Sequence, residues 1–154
     1  MSNKYIKTRG VGAGGSNTNA TGLSYENLTD LSSEYEIISS NKHMNTIRFN
    51  INNKYEYICV NKNKLYLYMK SINKQNNEIK LAHGCKKPDE CYINEKNKTI
   101  FIIEKKFQQV SGSVCEKIQT PDFKIWQYSR TFPEYKIVYI YCLSDWFKKI
   151  VKQN

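Results

Sequence analysis

Two carboxylates and a lysine near the middle of the chain have the types and spacing of a cation site built from oxygen ligands. Asp89 follows Pro88, and Glu104 ends an apolar run and is followed by Lys105 and Lys106. Two carboxylates with the backbone carbonyl of Lys105 form an oxygen-only ligand set that suits Mg²⁺. A lysine next to that set could orient or deprotonate a water molecule and offset the charge of a phosphate.

Two β-strands must position these residues. Apolar runs at 90–93 and 99–104 flank a polar segment at 94–98, and this pattern predicts a β-hairpin. Side chains alternate along a strand, so Glu104, Lys106 and Gln108 share one face and Lys105 points to the opposite side. Folding the hairpin brings Asp89 beside Glu104. We expect Lys105 to be a charge on the surface or one that contacts a phosphate backbone. The alternative interpretation of the whole segment is a surface hairpin with ordinary ion pairs.

The rest of the chain alternates between helical and strand-like patterns, which predicts a mixed α/β fold with a central mixed sheet flanked by helices. Trp126 and Trp146 are expected to pack in the core and not to stack on bases. The predicted helices cover 23–38, about 114–128 with a disturbance at Pro121, and 145–151. The predicted strands cover 46–51, 55–60, 65–69 and 136–143, with a hairpin turn at 61–64 and the last strand buried on both faces.

The length and the net charge of the chain limit the classes of protein to which it can belong. A chain of 154 residues predicts a single domain, 1–154, with a glycine-rich N-terminal arm at about 1–20. The arm contains a G-x-G-x-x-G at 10–15, but no buried strand precedes it, so a flexible arm is the better interpretation. A net charge of +10 favours a polyanionic partner, with a solvated basic surface as the alternative. We expect no membrane span and no signal peptide, and hence a cytoplasmic protein.

Pro88-Asp89 followed by Glu104-x-Lys106 resembles the catalytic signature of the PD-(D/E)xK nuclease superfamily. Three longer segments, at 14–26, 102–120 and 143–147, resemble the small type II restriction endonucleases and their homologues. The resemblance implies a restriction-endonuclease-like core. It also implies that Asp89 and Glu104 are metal ligands and that Lys106 is the catalytic lysine.

The same resemblance assigns several further residues. Glu26 matches an acidic residue that many of these nucleases direct at the metal site, although an exposed helix glutamate is an equal alternative. Gln108 matches a glutamine that often follows the motif lysine. Under the resemblance, the candidate contacts to DNA are Gln108, Ser111, Ser113 and Lys117. Separately from the resemblance, the candidate residues for base recognition are Arg9, Asn17 and Asn19 in the glycine-rich arm and the segment 124–130.

The function implied by the resemblance is a Mg²⁺-dependent type II restriction-type endonuclease that hydrolyses double-stranded DNA at a short specific sequence. Cutting both strands with one active site per chain suggests a symmetric homodimer, and the cellular context would be prokaryotic, phage or viral. Two other functions stay open. One is a non-catalytic, basic nucleic-acid-binding module, and the other is a repair or recombination nuclease of the same superfamily that recognises DNA structure.

Overall fold

The structure, a computed structural model, describes residues 16–72, 87–109 and 114–151, and its account of side chains leaves out 16–21 and 149–151. Within these ranges no helix is both long and apolar enough to cross a membrane. The helices are α1 (Ser16–Leu28), α2 (Lys64–Ile72), α3 (Val114–Lys117), α4 (Pro121–Thr131) and α5 (Trp146–Val151). The strands are β1 (Tyr35–Ser40), β2 (Asn45–Phe49), β3 (Glu56–Cys59), β4 (Glu90–Asn94), β5 (Thr99–Lys106) and β6 (Lys136–Leu143).

The strands of the described ranges form one mixed sheet whose spatial order follows the sequence from β1 to β6. Strands β1 to β5 are antiparallel neighbours. Strands β5 and β6 are parallel, with Thr99 opposite Lys136 and Lys106 opposite Leu143. A parallel pair needs a crossover of about a dozen residues or more, and the segment 107–135, which includes α3 and α4, provides it. The predicted mixed α/β class is confirmed.

Alternation along β5 separates two apolar clusters on opposite faces of the sheet. Ile100 and Ile102 pack with residues of α2 and α4, whereas Phe101 and Ile103 pack against the other cluster. Glu104 therefore continues the first row and Lys105 the second. The first cluster also contains Val60, Leu65, Tyr68, Met69, Cys91, Ile93, Tyr128, Phe132 and Tyr135, and the second contains Ile47, Cys59 and Tyr92.

The hairpin that carries the candidate chemistry forms as predicted. Strands β4 and β5 pair with Glu90 opposite Ile103 and Asn94 opposite Thr99. The predicted strands at 46–51 and 55–60 correspond to β2 and β3, and the predicted C-terminal helix corresponds to α5. These segments have strong local patterns, because apolar and β-branched residues recur at the period of the element that they form.

The predicted helix over 23–38 is confirmed for 23–28 and wrong for the rest of the segment. Helix α1 ends at Leu28, and the second half of the predicted segment is β1. The apolar spacing was misleading because Leu23 and Leu28 are 56% and 81% exposed and form no buried helix face. Between the two elements, the backbone N–H of Ser32 donates to Asp30 Oδ1 at 2.8 Å, a side-chain turn that competes with helix continuation.

The boundary of the predicted N-terminal arm also changes. Helix α1 begins at Ser16, so residues 16–20 are helical and do not belong to an arm. The rest of the arm, residues 1–15, lies outside the described residues.

The predicted strand at 65–69 is wrong, because this segment is α2. Leu65, Tyr68 and Met69 are its buried residues, at the i, i+3, i+4 spacing of one helix face. The predicted hairpin turn at 61–64 instead leads from β3 into α2, and β3 pairs with β4, with Ile58 opposite Ile93. The aromatic residues of this segment suggested a strand, but the helix buries Leu65, Tyr68 and Met69 in the first apolar cluster, so tertiary packing overrides local propensity.

The predicted helix from 114 to 128 is two helices, and α4 starts at Pro121. Proline is compatible with the first turn of a helix because that position has no intrahelical N–H partner to lose. The expectation that Trp126 packs inward with Phe123 is wrong. Phe123 and Trp126 are 57% and 52% exposed, and their rings stack on each other at 5.7 Å. Trp146 is partly buried, with its ring edge-to-face with Phe147.

Strand β6 forms as predicted, but the expectation that both of its faces are buried is wrong. Lys136 and Ile140 are exposed, and the other residues of the strand are only partly buried. By strand alternation Lys136 and Ile140 share one face, whereas Tyr139 lies on the opposite face and packs with Tyr128 of α4.

Candidate active site

Asp89 lies immediately before β4 and is held there by backbone and side-chain contacts. The backbone N–H of Lys62 donates to Pro88 O at 3.0 Å, and the N–H of Cys91 donates to Asn61 Oδ1 at 3.1 Å. The Asp89 carboxylate reaches the neighbouring strand, where Oδ2 accepts the backbone N–H of Lys105 at 2.8 Å. Because Glu90 is opposite Ile103, this places Asp89 next to Glu104, as the hairpin geometry predicted.

Lys106 contacts the two oxygens on β5 that the sequence assigned to a cation. Its ammonium donates to Glu104 Oε1 at 2.6 Å and to the carbonyl oxygen of Lys105 at 3.1 Å. The predicted common face of Glu104 and Lys106 is therefore confirmed. The side chains of Lys106 and Glu104 are 19% and 13% exposed, so the pair is screened less by solvent than a surface ion pair.

Burial raises the pKa of the Asp89 carboxyl above its ordinary value. The negative charges of Glu104 and Glu26 raise it further, whereas the Lys105 N–H and the Lys106 ammonium favour the ionised form. The net upward shift means that the ionised carboxylate is less stable here than in water. A bound cation would remove this penalty by favouring the ionised form.

We predict that Asp89→Asn stabilises the fold at neutral pH. A carboxyl whose pKa is raised by folding opposes folding once the pH exceeds its ordinary value, and asparagine never ionises. The melting temperature of the variant should therefore exceed that of the wild type at pH 7, and the difference should shrink as the pH falls towards about 4. Thermal unfolding across this pH range measures it. A variant that melts below the wild type at pH 7 would contradict the prediction.

Glu26 lies near this site, but none of its contacts identifies it as a ligand of a metal ion. Its backbone oxygen accepts a hydrogen bond from Lys105 Nζ at 2.9 Å, which ties α1 to β5. Its carboxylate is close enough to raise the pKa of Asp89. In the described part of the chain, however, no three His, Cys, Asp or Glu side chains converge closely enough to hold a metal ion. The predicted role of Glu26 at a metal stays a prediction.

Lys105 points to the opposite side from Lys106, as predicted, but the expectation that it is a surface charge is wrong. Its ammonium forms an ion pair with Glu90, and the two side chains are 2% and 4% exposed. The hydroxyl of Tyr92 donates to the second Glu90 oxygen at 2.8 Å. The second apolar cluster and α1 cover this face, so strand alternation correctly separated the two lysines but could not show that Lys105 is enclosed.

The other predicted contacts to DNA differ in exposure. Gln108 lies beyond the end of β5 and is 7% exposed, so its side chain is enclosed, and its contact with DNA stays a prediction. Its backbone N–H and C=O are both hydrogen-bonded to the Ser144 hydroxyl, and its amide contacts Cys115 Sγ at 3.6 Å. Lys117 is exposed on α3, which is compatible with a phosphate contact. Arg9, Ser111, Ser113 and the side chains of Asn17 and Asn19 lie outside the described residues.

A group of side chains from α4 and β6 faces Glu104. The sequence interpretation included Lys124 in the 124–130 segment predicted to recognise bases, but it did not place Lys124 at this site, and it missed the two tyrosines of β6. Lys124 Nζ lies 3.5 Å from Glu104 Oε1 and donates to the Tyr139 hydroxyl at 3.0 Å. Tyr139 and Tyr141 pack edge-to-face at 5.2 Å, and burial raises the pKa of each, with the charge of Glu104 as the second cause. The two tyrosines at i and i+2 in a strand were a usable signal, since such residues share a face.

The residues fit a hard divalent cation. Asp89, Glu104 and the Lys105 carbonyl offer oxygen atoms only, and Mg²⁺ commonly binds one or two protein carboxylates while retaining water ligands. The Lys106 ammonium already contacts two of these oxygens, so the site attracts positive charge. With two carboxylates and one carbonyl, water and substrate oxygens would complete the coordination.

Comparisons with protein-family models, curated proteins and solved structures found no significant match to this chain.

Proposed function

We propose that the chain is a Mg²⁺-dependent endodeoxyribonuclease of the PD-(D/E)xK type. The observation that carries this proposal is the convergence of Asp89, Glu104 and Lys106 at the ends of two paired strands, with Lys106 Nζ 2.6 Å from Glu104 Oε1. These residues occupy the positions of the motif that the sequence resembles. The mixed sheet, with a parallel β5–β6 pair and a helical crossover between its strands, supports a restriction-endonuclease-like core.

Each of these residues has a different role in the proposed hydrolysis of a phosphodiester. Asp89 and Glu104 would hold Mg²⁺, and the ion would supply charge stabilisation at the phosphate. The Lys105 N–H fixes the orientation of the Asp89 carboxylate through Oδ2. Lys106, at the same end of β5, would orient the attacking water and offset charge that develops on the phosphate oxygens. Both strands are rigid elements of the sheet, so the groups keep their relative positions.

The proposed substrate is double-stranded DNA with a short recognition sequence, and the proposed assembly is a homodimer. The net charge of +10 supports a polyanionic partner, because cationic side chains that neutralise phosphates release condensed counterions. A dimer would place two equivalent sites on the two strands of a palindrome. A cytoplasmic location in a prokaryotic, phage or viral context belongs to the same proposal.

Digestion of plasmid DNA of known sequence, with end mapping of the products, tests the proposal. We expect discrete fragments with Mg²⁺ and none with EDTA, and we expect Asp89→Asn and Glu104→Gln to be inactive while still folded. Binding without cleavage in any divalent metal would instead support a non-catalytic nucleic-acid-binding module. Cleavage confined to branched or nicked DNA would support a structure-specific nuclease.

A further inference from the structure

A second lysine, which no part of the nuclease motif includes, lies in the proposed active site. Lys124 extends from α4 towards Glu104, and its ammonium lies 3.5 Å from the same carboxylate oxygen that Lys106 contacts. Its side chain is 19% exposed, the same fraction as that of Lys106. Two ammonium groups thus converge on Glu104 Oε1, one from β5 and one from the crossover helix.

Two tyrosines of β6 hold the Lys124 side chain in this position. Its ammonium donates to the Tyr139 hydroxyl at 3.0 Å and lies over the rings of Tyr139 and Tyr141, at 5.4 and 5.8 Å from their centroids. Burial raises the pKa of Tyr139 above its ordinary value, and the charge of Glu104 raises it further, so the hydroxyl stays neutral and accepts this bond. Tyr141 lies opposite Glu104 in the parallel β5–β6 pair, which anchors the tyrosines beside the carboxylate.

We propose that Lys124 is a second phosphate-binding lysine of this site, and this inference rests on the proposed nuclease function. Two ammonium groups approach one oxygen of the Glu104 carboxylate, Oε1, which is also a proposed ligand of the cation. A divalent cation at Glu104 would repel both, and a phosphodiester anion would attract both. Lys124 therefore moves its charge from Glu104 to a non-bridging phosphate oxygen when metal and DNA are bound.

The opposite end of β5 provides a matched control. Lys98 Nζ lies 2.7 Å from Glu95 Oε2, donates to the Tyr135 hydroxyl at 3.4 Å and lies over the Tyr135 ring at 5.0 Å. The same three residue types therefore make the same three contacts. Lys98 is six residues from Glu104 along the chain, roughly 20 Å at the rise of a β-strand. A general effect of losing a lysine that contacts a glutamate and a tyrosine would appear in both places.

The test compares Lys124→Met, Lys124→Arg and Lys98→Met with the wild type. Methionine keeps an unbranched apolar side chain over the tyrosine rings and removes the charge. DNA affinity is measured in Ca²⁺ at several salt concentrations, and single-turnover cleavage is measured in Mg²⁺. For Lys124→Met we expect the slope of log K against log salt to become shallower by about 0.9, as for one lost phosphate contact. We expect its cleavage rate to fall on the order of 10-fold to 10²-fold.

Lys124→Arg should keep the salt slope, because it keeps the charge, and Lys98→Met should match the wild type in both measurements. If Lys124→Met keeps the wild-type slope and rate, the inference is wrong while the nuclease function stands. The same conclusion follows if Lys124→Met and Lys98→Met change the slope and the rate equally. If the wild type neither binds nor cleaves DNA, the proposed function fails and this inference fails with it. Melting curves identify a variant that does not fold. If Lys124→Met does not fold, Lys124→Gln takes its place, because it also removes the charge: a shallower salt slope with slower cleavage supports the inference, and a wild-type slope and rate overturn it.

Discussion

Replacing Lys106 with alanine is expected to lower the single-turnover rate of DNA cleavage by about 10²-fold or more, while the fold and most of the DNA affinity persist. The ammonium lies 2.6 Å from Glu104 Oε1 and 3.1 Å from the Lys105 carbonyl oxygen, which are two of the three proposed ligands of the cation. A positioned group that transfers or stabilises charge in the transition state contributes about 10²–10⁴-fold. Alanine leaves the strand intact but removes that group.

The measurement is plasmid cleavage with excess enzyme and Mg²⁺, together with a gel shift in Ca²⁺. Lys96→Ala is a suitable control, because Lys96 is exposed in the turn between β4 and β5, at the opposite end of β5 from the site. The control should cleave at the wild-type rate. Cleavage by Lys106→Ala within a few-fold of the wild type would show that the active-site assignment is wrong.

Replacing Lys105 with alanine is expected to lower the free energy of unfolding by about 3–5 kcal/mol, the range found when one partner of a buried ion pair is removed. The variant leaves Glu90 enclosed and without its cationic partner, since both side chains are at least 96% buried. It also removes the hydrogen bond to the Glu26 backbone oxygen, which ties α1 to the sheet. This replaces the expectation from sequence that Lys105 is a dispensable surface charge.

Urea denaturation of purified protein measures the effect. The double variant Lys105→Met with Glu90→Gln removes both charges and keeps an acceptor for the Tyr92 hydroxyl, so it should recover part of the lost stability. A double variant that is less stable than Lys105→Ala would contradict this account. So would a single variant as stable as the wild type.

The candidate site could be predicted from sequence because its three motif residues belong to one hairpin. Strand alternation alone assigns Glu104 and Lys106 to the same face, and a short turn fixes which residues of β4 oppose those of β5. Asp89 therefore had to lie near Glu104 once the two strands paired, and Lys105 N–H donates to its carboxylate. These relations are local, so they do not depend on what packs against the sheet.

Only the tertiary structure decided which groups from more distant elements contact this hairpin. α1 and the second apolar cluster enclose Lys105, α4 directs Lys124 at Glu104, and β6 supplies Tyr139. The segment at 65–69 shows the same limit, since its apolar residues suit either a strand or a helix until β3 pairs with β4. The local sequence determines the period of the apolar pattern and which side chains share a face of a strand. Burial and long-range contacts depend instead on which elements pack on each face of the sheet, and the free energy of that packing is a property of the whole chain.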